Sequence, residues 1–264
     1  MEPVTEYQKI IFKMEEGVAI LTLNDPETLN ALSPELEREL IQALGVCKKD
    51  MAIRAVLITG TGRGFSSGGD IKNMEKGVSA SDGKAWVELA NQIVEVILNL
   101  PKPVVAAVNG PAAAGGMNLA LSCDIVIASE KAFFAETFTK VGLVPDTGGH
   151  FVLPRLIGYR KALELIWTAE RVDAMTALEL GMVNRVVPGD RLMEEALAFA
   201  KMLSKGPTLA FGITKGIMRK TFSSDPIDIL ELEAFGNSIG FSSEDHREGV
   251  KAFREKRAPV FKGR

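Results

Sequence analysis

The chain has 264 residues, of which 46% are hydrophobic and 25% charged, so it is long enough and apolar enough to form a sizeable core. Its formal net charge of −3 argues against a general affinity for nucleic acids. Two cysteines and two histidines argue against a disulfide framework and a histidine-rich metal site, so we expect no bound metal.

The hydropathy pattern gives no sign of a membrane segment. The longest apolar runs, such as Val104–Val108, are far shorter than the roughly 20 residues that a spanning helix needs. The first ten residues lack the basic region and apolar stretch of a secretory signal. We therefore expect a cytoplasmic protein without a membrane partner.

Strands and helices are predicted to alternate in the first two thirds of the chain. Val18–Leu23 is a β-rich run that ends in a turn, and Ser33 and Pro34 are typical of a helix start. Further strands are predicted at 54–59, 104–108 and 124–128, and a helix at 86–100, which Pro101 ends. This alternation predicts an α/β fold with a largely parallel sheet.

Beyond about Pro188 the pattern becomes helical. Segments 190–204, 207–221, 226–237 and 242–256 carry helical periodicity, and no convincing strand lies among them. We therefore predict a core at 1–188 that carries the site and a helical assembly region at 189–264.

Two loops rich in small residues follow predicted strands. The first glycine loop (residues 60–70) reads GTGRGFSSGGD, and the second glycine loop (residues 109–116) reads NGPAAAGG. Glycine lets a ligand approach the backbone closely, and peptide N–H groups at such turns favour developing negative charge. Two such loops on one sheet can direct N–H groups at a single oxygen, which is the architecture of an oxyanion hole.

Other interpretations of the first glycine loop remain open at this point. No Lys-Ser or Lys-Thr follows the glycines as in a P-loop, and the spacing misses the dinucleotide fingerprint by one residue. Residues 64–68 (GFSSG) match the G-x-S-x-G nucleophile elbow around Ser66, for which His150 or His246 would have to be the partner. A glycine-rich turn without function is the remaining alternative.

Several motifs, in this order and spacing, resemble the crotonase superfamily, the enoyl-CoA hydratase/isomerase group. They cover nearly the whole chain: LNAL at 29–32, GFSSGGDIK at 64–72, KPVVAAVNGPAAAGG at 102–116, SCD at 122–124, VGLVPDTGG at 141–149, LPR at 153–155, ALELGMV at 177–183 and EGVKAFREKRAPVFK at 248–262.

This resemblance implies a spiral of β-β-α units, a C-terminal helical trimerisation region, and a homo-trimer or hexamer. It implies that the N–H groups of Gly69 and Gly115 bind the thioester oxygen of an acyl-CoA. Coenzyme A would be part of the substrate, so no separate cofactor is expected. In such a site the substrate's coenzyme A contacts the loop around Ser67, Gly69, Asp70 and Ile71, with Arg63 and Lys262 as candidate phosphate partners.

The resemblance also bears on the reaction. The two glutamates of family hydratases would fall at Asn118 and Phe138, and neither residue can exchange a proton as a carboxylate does. Asp146 stands where some family isomerases carry their single base. The sequence therefore predicts a 3-enoyl-CoA to 2-enoyl-CoA isomerase with Asp146 as acid and base, and with Asn118 and Phe138 lining the substrate.

Four alternatives are kept. Asp146 can be an ordinary turn or N-cap residue. The enzyme can be a hydratase that uses Asp146 alone or with Glu136, although we expect Glu136 at the surface. It can isomerise the ring epoxide of epoxyphenylacetyl-CoA, or the chain can bind acyl-CoA without turnover.

Overall fold

The computed structural model describes residues 7–70 and 77–264. Within these ranges the strands are β1 (Ile10–Glu15), β2 (Val18–Leu23), β3 (Ala55–Gly60), β4 (Val104–Val108), β5 (Ala112–Ala113), β6 (Ile125–Ser129), β7 (Phe133–Ala135), β8 (Val172–Asp173) and β9 (Arg185–Val187). The helices are α1 (Pro34–Lys49), α2 (Ala80–Asn99), α3 (Gly115–Leu121), α4 (Gly149–Ile157), α5 (Tyr159–Thr168), α6 (Ala174–Glu179), α7 (Leu192–Ser204), α8 (Thr208–Met218), α9 (Pro226–Ser242) and α10 (Glu244–Glu255).

The larger sheet has six strands in the order β1-β2-β3-β4-β6-β9. The β1–β2 pair is antiparallel, and every other neighbouring pair is parallel. Strands β3 and β4 consist almost entirely of buried apolar residues, as expected when helices cover both faces of a parallel sheet. The predicted α/β class and parallel sheet are confirmed.

A smaller sheet stands beside the first and joins β5, β7 and β8. Strand β5 pairs in parallel with β7, and β7 pairs antiparallel with β8. The chain thus passes from a strand of the large sheet to one of the small sheet and then to a helix, which is the predicted spiral of β-β-α units. This arrangement brings the second glycine loop, which contains β5, against the end of β7.

Helices pack on both faces of the large sheet. One core cluster joins the sheet to α1 and α2, and a second joins it to α7 through Leu192, Ala196 and Ala200. Helix α7 is therefore part of the main core, although it lies beyond the predicted boundary at residue 188. The helices α8 to α10 bury few residues of their own. Their role in assembly stays a prediction.

The structure differs from the sequence-based elements at several places. Strands β5, β7, β8 and β9 and helices α5 and α6 are not among the predicted elements. Helix α2 begins at Ala80 instead of residue 86, because the Ser79 hydroxyl accepts a hydrogen bond from the Asp82 N–H and caps a polar first turn without apolar periodicity. Strand β1 was not predicted, and it forms an edge strand with exposed residues. None of the helices in the described ranges is long and apolar enough to cross a membrane.

Candidate active site

Asn30, which stands out in the sequence only as part of the LNAL motif, organises the first glycine loop. Its side chain is fully buried, and its Nδ2 donates to the carbonyl oxygens of Thr61 (3.0 Å), Gly64 (2.9 Å) and Phe65 (3.1 Å). Its Oδ1 accepts from the Asp25 N–H at 2.8 Å. One amide therefore satisfies a turn of backbone that has few other partners inside the protein.

Ser66 is also part of this support. Its side chain is fully buried, and its hydroxyl donates to the Asn30 carbonyl at 2.8 Å and accepts from the Gly68 N–H at 3.2 Å. Both histidines of the chain are exposed. A nucleophile elbow needs an exposed serine hydroxyl, whereas the Ser66 hydroxyl is buried and hydrogen-bonded. The geometry therefore does not support a nucleophile elbow at Ser66.

The two glycine loops touch each other. The Ala113 N–H donates to the Ser66 carbonyl at 3.0 Å, and Ser66 pairs with Ala112 in an isolated parallel bridge. Gly68 has a φ of +84°, and a Cβ there would lie 2.7 Å from the Ala113 oxygen and 3.1 Å from the Gly115 nitrogen. Only glycine fits this approach. The contact brings Gly69, the next residue, alongside Gly115.

The N–H groups of Gly69 and Gly115 donate no hydrogen bond to any residue in the described ranges. Gly115 is buried, and Gly69 is half-buried. Ala114, immediately before Gly115, has φ 46° and ψ −126°, a strained conformation for a residue with a side chain. Two free, adjacent N–H donors at a strained turn are suited to an oxygen that gains negative charge.

Asp146 lies next to this pair of donors. Its Oδ1 is 3.5 Å from the position that a Cβ on Gly115 would take. Thr147 (φ 48°) and Gly148 (φ 78°) follow in left-handed conformations, and helix α4 begins at Gly149. The N-cap of α4 is Gly148, and no side chain caps the helix. Asp146 is therefore not a helix cap.

Burial raises the pKa of Asp146, and the hydroxyl of Thr147, which donates to its Oδ1 at 2.7 Å, opposes this rise. Asn118 holds the backbone of the same residue: its Nδ2 donates to the Asp146 carbonyl at 2.9 Å. Asn118 is fully buried, and a Cβ on Gly149 would lie 2.4 Å from its Nδ2. Asn118 thus packs beneath the turn that carries Asp146.

Glu136 is not at the surface, so that prediction is wrong. Strand β7 ends at Ala135, and the chain turns into a 3₁₀ helix, Thr137–Val141, so Glu136 and Phe138 do not share a strand face. Glu136 is 1% exposed and Phe138 6%. Burial is the main reason why the pKa of Glu136 is raised to about 8. The Asn118 amide lowers this pKa, and the charge of Asp146 raises it.

A third carboxyl group near Asp146 escaped the sequence analysis. Glu37, in the first turn of α1, is 5% exposed, and its carboxylate makes no hydrogen bond to a described residue. Burial raises the pKa of Glu37 to about 8; the charge of Asp146 raises it as well, and Arg38 lowers it. Glu37 lies three residues before Leu40 and seven before Leu44, which places it on the apolar stripe of α1. This spacing could have revealed its burial from the sequence.

The residues predicted to contact coenzyme A lie on the exposed side of the first glycine loop. Arg63 is exposed, and Ser67 and Asp70 are half-buried, with the Ser67 hydroxyl donating to the Thr28 carbonyl at 2.9 Å. Ile71 lies outside the described residues. Their contacts with a ligand stay predictions. In the ranges that the structure describes, no group of three histidine, cysteine or acidic side chains could hold a metal ion.

We predict that Asn30→Ala lowers the free energy of unfolding by about 2–5 kcal/mol, because it removes a donor from three carbonyls of the first glycine loop. Of these, the Gly64 carbonyl keeps a second donor, Asn109 Nδ2 at 3.2 Å. Chemical denaturation of the variant and the wild type measures the difference. The matched control is Thr61→Val, which removes only the hydroxyl that donates to the Asn30 Oδ1 at 3.2 Å and should cost much less. Equal losses in both variants would contradict the role given to Asn30.

The comparisons with known proteins identify the family of the chain. Residues 13–264 match the family model described as Enoyl-CoA hydratase/isomerase. The chain is 39% identical to 1,2-epoxyphenylacetyl-CoA isomerase of Escherichia coli K12, over 97% of this chain and 98% of that protein. It is 36% identical to trans-2-decenoyl-[acyl-carrier-protein] isomerase of Streptococcus mutans, over 98% of this chain and 100% of that protein. A crystal structure of enoyl-CoA hydratase subunit I from Geobacillus kaustophilus superposes with a TM-score of 0.93 at 36% identity, over 98% of this chain and 100% of that one. The chain belongs to the enoyl-CoA hydratase/isomerase family, the crotonase superfamily.

Proposed function

We propose that the protein is an enoyl-CoA isomerase that converts a 3-enoyl-CoA to the conjugated 2-enoyl-CoA, with Asp146 as the single acid and base. The observation that carries this proposal is the position of the Asp146 carboxylate beside Gly115. The N–H groups of Gly69 and Gly115 hold the thioester oxygen in this proposal. An acid next to an oxyanion hole is placed to move a proton at the carbon adjacent to the thioester.

The reaction needs one base and no water. The Asp146 carboxylate removes a proton from C2, and the C–H electron pair forms a C1=C2 bond as the thioester oxygen takes the negative charge. The C3=C4 electron pair then takes the proton back from the same carboxyl group at C4, the C1=C2 pair moves to C2=C3, and the thioester carbonyl re-forms as the oxygen gives up its charge. Each N–H donor at such an oxygen typically contributes about 2.7–4 kcal/mol to lowering the barrier.

The surroundings of Asp146 favour isomerisation over hydration. Hydratases of the family use two carboxylates, and the corresponding positions here are Asn118 and Phe138. Glu136 is the nearest replacement in sequence, but both of its carboxylate oxygens are enclosed without exposure to solvent. An enclosed carboxyl group cannot hold an attacking water.

A second candidate keeps the same fold and the same base. A relative 39% identical over nearly the whole chain is named 1,2-epoxyphenylacetyl-CoA isomerase. In this alternative the site isomerises the ring epoxide of epoxyphenylacetyl-CoA to an oxepin. Another relative is named trans-2-decenoyl-[acyl-carrier-protein] isomerase. The same assays should therefore compare the acyl group on coenzyme A with the acyl group on acyl-carrier protein.

We also propose how the substrate is held and how the protein assembles. Arg63, Ser67, Asp70 and Ile71 contact the coenzyme A portion, which is part of the substrate, and the reaction draws on no other cofactor.

The helices α8 to α10 form the contacts of a homo-trimer or hexamer. Large apolar side chains exposed on these helices support this assembly: Met218, Ile227, Leu230, Phe235, Phe241 and Phe253. Sedimentation equilibrium should give three or six chains, and a monomer would refute it.

Replacing the base tests the reaction directly. Asp146→Asn should lower the rate of 3-enoyl-CoA isomerisation by about 10²–10⁴-fold, because the amide cannot accept the C2 proton. Acyl-CoA affinity should change little, as measured by calorimetry. The matched control is Asp190→Asn at an exposed position, which should keep wild-type turnover.

The same assays separate the alternatives. Turnover of Asp146→Asn at the wild-type rate would refute the proposed base. Efficient hydration of a 2-enoyl-CoA by the wild type would identify a hydratase, and turnover of the aromatic epoxide alone would identify the second candidate. Tight acyl-CoA binding without proton exchange at C2 in heavy water would identify a binding protein.

Thr147 supplies a test through the pH profile. Thr147→Val removes the hydroxyl that lowers the pKa of Asp146, so that pKa should rise. Because the base must be ionised, the acidic limb of kcat/KM should move to higher pH. Thr147→Ser keeps a hydroxyl and should leave the limb near its wild-type position. A limb that stays in place in Thr147→Val would contradict Asp146 as the group that sets it.

A further inference from the structure

Three buried side-chain oxygen atoms near Asp146 lack hydrogen-bond partners in the described part of the chain. Both carboxylate oxygens of Glu136 are enclosed and unpaired, and so is the Oδ1 of Asn118, within the described part of the chain. The Nδ2 of the same amide donates to the Asp146 carbonyl at 2.9 Å. The amide orientation is therefore fixed, since its reversal would set Oδ1 against another carbonyl oxygen.

A single proton on the Glu136 carboxyl group would allow it to donate a hydrogen bond to the Asn118 Oδ1. A carboxylate without a partner in an enclosed site is far more costly than a neutral carboxylic acid, which carries an O–H donor. The Asn118 Oδ1 is an acceptor without a donor among the described residues. The Asn118 amide interacts with the Glu136 carboxyl group and lowers its pKa, but burial raises that pKa by more and so favours the neutral acid. The neutral acid supplies the donor that the amide oxygen lacks.

We propose that Glu136 is a positioning residue: as a neutral acid it donates to Asn118 Oδ1 and so fixes the amide that holds the backbone of Asp146. The inference rests on the proposed function, because it takes Asp146 as the base. Glu136 touches neither substrate nor reacting atoms, since its oxygens are enclosed. It acts through Asn118 on the direction in which the Asp146 side chain points.

Ionisation of Glu136 would undo this arrangement. The carboxylate then needs N–H donors, and the Asn118 Nδ2 can serve it only by giving up the Asp146 carbonyl. Among the described residues, the charged group that acts on Glu136 is Asp146, on the turn before α4. Asp146 also acts on Glu37 on α1, and Arg38 acts on Glu37 with the opposite sign. A second negative charge next to Asp146 is not balanced by these groups. The positioned state therefore belongs to neutral and lower pH, and it is lost above about pH 8, where Glu136 ionises.

The first experiment compares pH profiles of kcat/KM in the full-length protein. In the wild type, the rate should fall by about tenfold per pH unit above pH 8. Glu136→Gln carries a permanent N–H donor and should abolish this alkaline fall, whereas Glu136→Ala should lower kcat by about tenfold or more with little change in KM. Rescue by glutamine but not by alanine separates positioning from mere filling of space.

Glu37→Gln is the matched control, because Glu37 is also buried and its pKa is also raised to about 8. It should keep the alkaline fall. Loss of the fall in Glu37→Gln but not in Glu136→Gln would overturn the proposal. So would an alkaline fall that persists unchanged in Glu136→Gln.

A second experiment does not depend on turnover. The side-chain NH₂ resonances of Asn118, assigned by their loss in Asn118→Ser, should shift with pH near 8 in the free wild-type protein and not in Glu136→Gln. In Asp146→Asn the shift should persist with a lower midpoint, because the charge that raises the pKa of Glu136 is gone. This result stands even if Asp146 proves not to be the base. Resonances that do not titrate between pH 6 and 10, or that titrate in Glu136→Gln, would overturn the proposal.

Discussion

The hydrogen bonds of the Asn30 side chain are the constraint on which the site depends. The first glycine loop leaves β3 with its carbonyls turned inward, where water cannot reach them, and a single buried amide satisfies three of them. Ser66 then ties the loop to the Asn30 backbone. With this support the loop approaches the second glycine loop closely, and the N–H groups of Gly69 and Gly115 donate no hydrogen bond to a described residue.

Burial decides the electrostatics of the same region. Asp146, Glu136 and Glu37 come from three separate elements, and in each the loss of water is the largest influence on the pKa and favours the neutral form. Asp146 differs from the other two because Thr147 donates a hydrogen bond to its carboxylate. Its charge in turn opposes ionisation of Glu136 and Glu37. The site thereby favours one charged carboxylate among three, which suits a reaction with one base.

The two N–H donors and the side chains around them have different roles in the proposed reaction. A pair of N–H donors stabilises any thioester enolate, so it selects a class of intermediate without selecting a product. The product depends on where carboxyl groups can reach the substrate and whether a water can be held between them. Here the amide of Asn118 supports the backbone of Asp146, and Phe138 is an apolar buried residue. Relatives that are named hydratase and isomerase share this scaffold, as expected if the chemistry is set by a few side chains.

The sequence by itself determined the class of the fold, most of its strands and helices, and the two loops whose glycines form the candidate oxyanion hole. These features follow from local patterns: β-branched runs, helix caps, and glycines where the backbone must approach a ligand. It also marked Asp146, because proline and glycine around an acid indicate a sharp turn.

Only the tertiary structure decided which carboxyl groups are buried together. Helical spacing puts Glu37 on the apolar stripe of α1 but does not show what it meets there, and Glu136 was predicted at the surface. Their burial depends on α1, α3 and the turn before α4 packing around one point, and no local pattern encodes contacts between residues so distant along the chain.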